Sequence, residues 1–293
     1  MLKIDTARNA KRLLLIACVF ILAGILGMVI RGFNFGIDFV GGTIAQLELG
    51  RSFETAEVRT VTDKYDPAMI INSAGEGNTQ VIIKSTINFD EDTKALIIED
   101  FRSTFGISDE DVLSFDIVSP TIGKELRDQA LKASLITIVC VLLYITVRIE
   151  FVSALSSIIA LLHDVLIMVG FYALFHLQVN SSFIAAVLTI LGYSINSSIV
   201  VFDRIKDESK RHSKTDYTGI VDTALTKSVK RTLYTTLTTM FAVVSLYVFG
   251  VTSIREFTLP MIVGFIAGAY SSLFVAPSIW YLIKNAGRSK SRR

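Results

Sequence analysis

Six long apolar runs divide this chain. Leu13 to Ile30 carries no charge, Ala133 to Val147 is shorter, and Val152 to Leu177 is interrupted only by His163, Asp164 and His176. Phe183 to Phe202, Leu233 to Val251 and Phe257 to Ile283 complete the set. A helix needs about 20 apolar residues, in a range of roughly 17–25, to cross a bilayer core. The pattern predicts six transmembrane helices. The second is short by that rule, unless Lys132 snorkels and lets it start earlier. Lys3, Arg8, Lys11 and Arg12 precede the first run as a signal peptide's basic end would. That run is too long for a signal peptide and no small-x-small cleavage site follows it, so a retained helix is expected.

Between the first two runs the period changes. Thr43–Leu49 alternates as a strand does, and Ser52 is placed to cap a helix reaching Tyr65. Ala68–Asn72 is a short apolar run, and Thr79–Ser85 alternates around Val81, Ile82 and Ile83. Asp90 is placed to cap a second helix with Leu96, Ile97 and Phe101 on one face, and Val112–Val118 reads as a last strand. The order β-α-β-β-α-β predicts a ferredoxin-like sandwich. The fold class is therefore an α-helical polytopic membrane protein with six transmembrane helices and an α+β ferredoxin-like extracytoplasmic domain between helices 1 and 2. The expected segments are an N-terminus 1–12, helix 1 at 13–31, the extracytoplasmic domain at 32–128, helices 2–6 at 129–283 and a basic tail at 284–293. A cytoplasmic loop at 203–231 contains an interfacial helix marked by Val221, Leu225 and Val229.

Composition agrees with this division. Of 293 residues, 51% are hydrophobic, and the mean hydropathy of +0.54 is high for a soluble domain. Segment 32–128 carries a formal charge of −10 within a chain whose total is +2. Eighteen Lys and Arg fall on the side that holds both termini, against Arg255 alone in the two short loops opposite. The positive-inside rule then places both termini in the cytoplasm. Cys18 and Cys140 form no spacing pattern and read as packing residues. The tail from Gly287 reads as disordered.

Ionisable groups within a bilayer are costly, and each needs an account. Asp164 lies twelve residues into the third helix from Val152, about 18 Å deep at ~1.5 Å per residue. Two readings stand: a proton-binding or relay group, or a structural residue satisfied by His163 or a neighbouring helix. The fourth helix is polar at Tyr193, Ser194, Asn196, Ser197 and Ser198. The fifth opens with Arg231 and aligns Thr232, Thr235, Thr236 and Thr239, and Ser271 and Ser272 lie in the sixth. This belt reads either as a hydrated proton path or as ordinary helix packing. Gly264 and Gly268 form a GxxxG step that points to close packing, and Asp203 and Arg204 read as an interfacial ion pair. No nucleophile–base arrangement, metal-ligand spacing or P-loop is present, so an enzyme, a metal site and direct ATP hydrolysis are not expected.

Several motifs together carry a family resemblance. They are Gly36-Ile-Asp-Phe-Val-Gly-Gly-Thr43, which contains Asp38, Gly41 and Gly42; Pro120-Thr-Ile-Gly-Lys-Glu-Leu126; Leu161-Leu-His-Asp-Val165; Leu191–Asn196 followed by Ile199–Arg204; Arg231–Thr239; and Gly268–Ala276. In order and over most of the chain, they resemble the SecF branch of the SecD/SecF family of protein-export membrane proteins, which is like the resistance-nodulation-division transporters. The resemblance implies a subunit of the Sec translocase in the bacterial plasma membrane. It implies pairing with SecD, association with the SecYEG channel and YajC, unfolded preproteins as substrates, and use of the proton-motive force, without cofactor or nucleic acid. The family's proton-path pattern falls on Asn196, Ser197 and Arg231, but the usual Asn-Asp-Thr reads Asn196-Ser197-Ser198 here. Ser197 cannot titrate near neutral pH, which leaves Asp164 or a carboxylate on SecD to carry the proton. Two alternatives remain: half of a small-molecule transporter of the resistance-nodulation-division type, and a non-coupled structural partner of SecD.

Overall fold

The structure, a computed structural model, describes residues 5–213 and 216–291. Helix α1 (Thr6–Arg31) leads through β1 (Asn34–Phe35) and the one-turn α2 (Ile37–Val40) into β2 (Gly42–Glu48). Then come α3 (Thr55–Thr62), β3 (Ile70–Ala74), β4 (Gln80–Ser85), α4 (Glu91–Phe105) and β5 (Val112–Val118). The chain returns through α5 (Pro120–Arg148) and α6 (Phe151–Leu174), then β6 (Gln178–Val179), α7 (Ser181–Ser209) and α8 (Tyr217–Phe249). It ends with α9 (Thr252–Tyr270), a π-helical turn over Ser271–Val275 and α10 (Ala276–Ser291). Among the described residues six helices are long and apolar enough to cross a membrane, the sixth running unbroken over Thr252–Gly287.

The extracytoplasmic domain has the predicted β-α-β-β-α-β order. Its antiparallel sheet runs β3-β4-β2-β5, the ferredoxin-like arrangement in which the first and third strands pair at the centre. Leu47, Val58, Val81 and Phe101 are fully buried between sheet and helices. Asp90 caps α4, accepting from the Thr93 amide at 2.9 Å. Two local expectations fail. Helix α3 begins at Thr55 and takes no side-chain cap, so Ser52 lies outside it. Leu96 points away from the sheet at 59% exposure, because Ile97 and Phe101, four apart, already occupy the inner face.

The GG pair sets the entry to the sheet. Gly41 has φ +80° and Gly42 φ +146°, regions that L side chains avoid. A Cβ on Gly42 would also strike the Ser85 carbonyl of the neighbouring strand. The turn behind it is equally tight, because a Cβ on Gly123 in α5 would meet the Asp38 carbonyl and the Phe39 backbone.

In the bundle, α6 is central and α1, α5 and α8 are peripheral: half of the most apolar stretch of α6 is buried, against 6% of that of α5. Helices α1 and α6 touch through Gly24 and Gly170, where a Cβ on either would lie 2.7 Å from the other's Cα. Four expectations about the bundle are corrected. The second helix gains length by starting at Pro120, a residue suited to a helix's first turn, with Ser119 capping it. The predicted interfacial helix does not lie on the surface. Val221, Leu225 and Val229 belong to the first turns of α8 and are buried against Phe202, Ile205 and Trp280, because their four-residue repeat makes one continuous inward face. The tail is helical to Ser291 rather than disordered, with residues 292 and 293 outside the described set. Cys18 and Cys140 are exposed on the outer faces of their helices, not packed inside.

Candidate functional site

Asp164 lies at the centre of the bundle. It points from α6 towards α7 and the π-helical turn and is fully buried. Its Oδ2 accepts the Ser194 hydroxyl at 2.5 Å and the Ser271 hydroxyl at 2.8 Å, and its Oδ1 lies 3.0 Å from His163 Nδ1. Three structural elements thus converge on one carboxylate. The π-helical turn, a departure from α geometry that is frequent at functional sites, contributes Ser271 to the cluster. Gly268 borders the cluster, where a Cβ would sit in ordinary contact 3.4 Å from Ser194 Cβ and 3.6 Å from Asp164 Oδ2. Gly264, one turn earlier, packs on Ile190, which a Cβ would meet at 2.5–2.9 Å.

Chemically, the cluster has the donors and acceptors needed to hold a proton. Asp164 Oδ1 and His163 Nδ1 are two basic atoms 3.0 Å apart, so one hydrogen can bridge them from either side. The two serine hydroxyls can donate to a carboxylate or turn to accept from a carboxylic acid. His163 also borders an apolar groove of about 370 Å³ between α1, α6 and α9, beside Phe20 and Tyr270. Among the described residues no three His, Cys, Asp or Glu converge on a metal-sized site.

The other sequence candidates lie elsewhere. Asn196, Arg231 and Thr235 are exposed on α7 and α8, Thr239 is half-buried, and Ser197 is buried at 8% exposure. Thr235 and Thr239 donate to backbone carbonyls of their own helix, at 2.9 Å to Arg231 and 3.0 Å to Thr235. The threonine face therefore divides. Thr232 and Thr236 turn inward, and Thr236 meets the Tyr193 hydroxyl at 3.2 Å. Asp203, Arg204 and Arg231 line an outward cavity of about 240 Å³. Arg204 pairs with Glu208 at 3.9 Å rather than with Asp203 as expected, because residues four apart share a helix face and adjacent ones do not. Asp38 accepts the Ser181 amide at 2.8 Å and so caps the N-terminus of α7 from the one-turn helix α2.

Sequence reasoning missed Glu256. At the outer end of α9 its carboxylate accepts amide hydrogens from Asn72 of β3 at 2.9 Å and Asn180 before α7 at 2.8 Å, with Lys84 of β4 3.7 Å away. It joins the extracytoplasmic domain to the bundle. The available signal was a carboxylate beside Arg255, immediately before the sixth apolar run.

Comparison with known proteins places this architecture. The family described as protein export membrane protein SecD/SecF, C-terminal, matches residues 98–286, and the SecD/SecF GG motif matches residues 27–52. The protein translocase subunit SecF of Sebaldella termitidis is 37% identical over 290 residues, covering 97% of this chain and 92% of that one. The SecF of Acidaminococcus fermentans is 35% identical, covering 97% and 98%. The protein translocase subunit SecDF of Bacillus subtilis is 35% identical over 95% of this chain but only 38% of its own length. The crystal structure of SecDF from Thermus thermophilus, described as a translocon-associated membrane protein, aligns with a TM-score of 0.80 at 28% identity, over all of this chain and 39% of that one. From the paired family matches and the near full-length relatives, the chain belongs to the SecD/SecF family of protein-export membrane proteins.

Proposed function

We propose that the chain serves as a SecF-type subunit of a bacterial Sec translocase, a non-enzymatic partner in the export of unfolded preproteins. The SecF names of the full-length relatives support this role. Pairing with SecD is supported by SecDF chains that contain a region like this one within a longer polypeptide. The exposed α7–α8 stripe of Asn196, Arg231 and Thr235 is suited to packing against that partner. The pair works with the SecYEG channel and YajC in the plasma membrane, with both termini in the cytoplasm, as the excess of Lys and Arg on that side supports.

In this reading the proton-motive force drives the cycle, and Asp164 carries the proton in this chain. One observation carries the assignment: Asp164 is a fully buried carboxylate held by three side chains from α6, α7 and the π-helical turn. Protonation gives the carboxyl one O–H donor and so reverses the direction of one of those hydrogen bonds, which gives proton transfer a mechanical output. Ser197, at the family's usual aspartate position, serves in hydrogen bonding rather than titration. Complementation of a SecF-depleted bacterium tests the assignment, with Asp164→Asn and Ser197→Asp compared at equal membrane abundance. Loss of export with Asp164→Asn and little change with Ser197→Asp supports it. A several-fold gain with Ser197→Asp beside an inert Asp164→Asn overturns it.

A further inference from the structure

At the basic end of the bundle lies a cavity of about 600 Å³ that the proton reading does not use. It opens between the α5–α6 connection, the end of α7, the start of α8 and α10, and its walls are of two kinds. Ile149, Ile205, Ile220 and the ring of Trp280 form an apolar side, with Tyr217 packed edge-on to Trp280 at 5.9 Å. Lys206, Lys210 and Lys284 supply positive charge.

The lining carboxylate is already satisfied. Glu150 accepts from Trp280 Nε1 at 2.5 Å and from Lys284 Nζ at 2.8 Å. Lys206 donates to the Arg148 carbonyl at 2.7 Å, which holds its ammonium at the cavity, and among the described residues it forms no ion pair with a carboxylate. The Lys210 side chain is 70% exposed and lies 3.7 Å from the exposed Asp207. Of the three lining lysines Lys284 is paired with Glu150, which leaves Lys206 and Lys210 for a bound anion. An apolar wall, a Trp–Tyr pair and lysines at the end of a membrane bundle together match an amphiphile with a phosphate at its head.

We propose that this cavity binds the headgroup of an anionic phospholipid. The phosphate lies between Lys206 and Lys210, and the glycerol and upper acyl carbons lie along Ile205, Ile220 and Trp280. Binding there ties the α5–α6 connection to α7, α8 and α10, the elements that meet beneath the Asp164 cluster. The proposal stands whether or not Asp164 carries protons.

Trp280 is the single tryptophan of the chain, so its fluorescence reports this cavity. The test uses the full chain in phosphatidylcholine vesicles, titrated with phosphatidylglycerol brominated near the glycerol. The proposal predicts saturable quenching at low mole fraction, absent with equally brominated phosphatidylcholine and not displaced by millimolar inorganic phosphate. At about fivefold in affinity per lysine near a lipid phosphate, Lys206→Gln with Lys210→Gln weakens binding about 25-fold. The charge-matched pair Lys11→Gln with Lys230→Gln, away from the cavity, leaves it unchanged. Should the double variant misfold, Lys210→Gln alone gives the fivefold effect, since its side chain is 70% exposed and pairs with the exposed Asp207. Quenching that rises with bulk lipid without saturating overturns the proposal. So does equal weakening by the distant pair, or displacement by free phosphate.

Discussion

Asn72 in the extracytoplasmic sheet donates its side-chain amide to Glu256 at the outer end of α9, 2.9 Å away. The same carboxylate holds Asn180, which caps α7, so one residue ties strand β3 to two helices of the bundle. Glu256→Ala leaves two amides and Lys84 without their acceptor, a loss on the order of 1–3 kcal/mol for a buried polar contact. Hydrogen exchange of the full chain is expected to accelerate about tenfold or more at β3 and at the first turn of α7. Exchange in α4, which shares the domain but not the contact, should stay unchanged.

The Gly24–Gly170 contact brings two helix backbones together. Gly170→Val places branched carbons where the Gly24 Cα now sits, which forces α1 away from α6. Overpacking of this kind costs typically ~1–3 kcal/mol. The expected result is a lower melting temperature in detergent, largely restored by no single compensating change on α1, because Gly24 has no side chain left to remove. Gly192→Ala, at a position open to solvent or lipid, serves as the control and should be near neutral.

The extracytoplasmic domain contains a three-residue charge site with a pH signature. Asp100 accepts from Lys64 at 3.0 Å and from the Tyr65 hydroxyl at 2.9 Å. Burial, then the bond to Asp100, pushes the Tyr65 phenol up to about 12, while Lys64 and Tyr65 together lower the Asp100 carboxyl. A raised phenol contributes stability below its unfolded value of about 10, and that contribution is lost as pH rises through about 12. A lowered carboxyl contributes above its unfolded value and loses that contribution as pH falls through the folded one. Phenolate absorbance of wild type minus Tyr65→Phe should show one tyrosine titrating near 12. A difference spectrum centred near 10 would contradict the geometry.

Ser194 and Ser271 are expected to matter unequally. Ser194→Ala removes the shorter bond to Asp164, at 2.5 Å, whereas Ser271 also lies 3.2 Å from the Gly268 carbonyl and shares its hydroxyl. Each loss leaves a buried acceptor one donor short, about 1–3 kcal/mol. Export measured at equal abundance should fall more with Ser194→Ala than with Ser271→Ala, and furthest in the double variant.

Much of this architecture was legible in the sequence, because its signals are local. Apolar length marked the six helices, two-residue alternation marked the strands, and Asp90 announced a helix start. Asp164 stood out because a carboxylate inside an apolar run is rare. What stayed hidden depends on three-dimensional placement. Ser194 and Ser271 looked like two members of a broad polar belt, and only the fold separates them, on Asp164, from Thr235 and Arg231 on the outer face. The π-helical turn leaves no periodic trace over five residues. Val221, Leu225 and Val229 have the same repeat whether they face lipid headgroups or the bundle core, so their spacing could not tell a surface helix from the buried start of α8. Glu256 sat at a span edge, where charges are ordinary, and its partners Asn72 and Asn180 are distant in sequence.

The coupling of proton movement to export proposed for Asp164 is open to direct measurement. The direct measurement is completion of preprotein export in membrane vesicles that contain wild-type or Asp164→Asn complex at equal abundance, with and without an uncoupler. Wild-type vesicles are expected to lose a substantial part of export on uncoupling, while Asp164→Asn vesicles start at that lower level and lose nothing more. Equal uncoupler sensitivity in the two would contradict it and would make Asp164 a structural residue of the bundle.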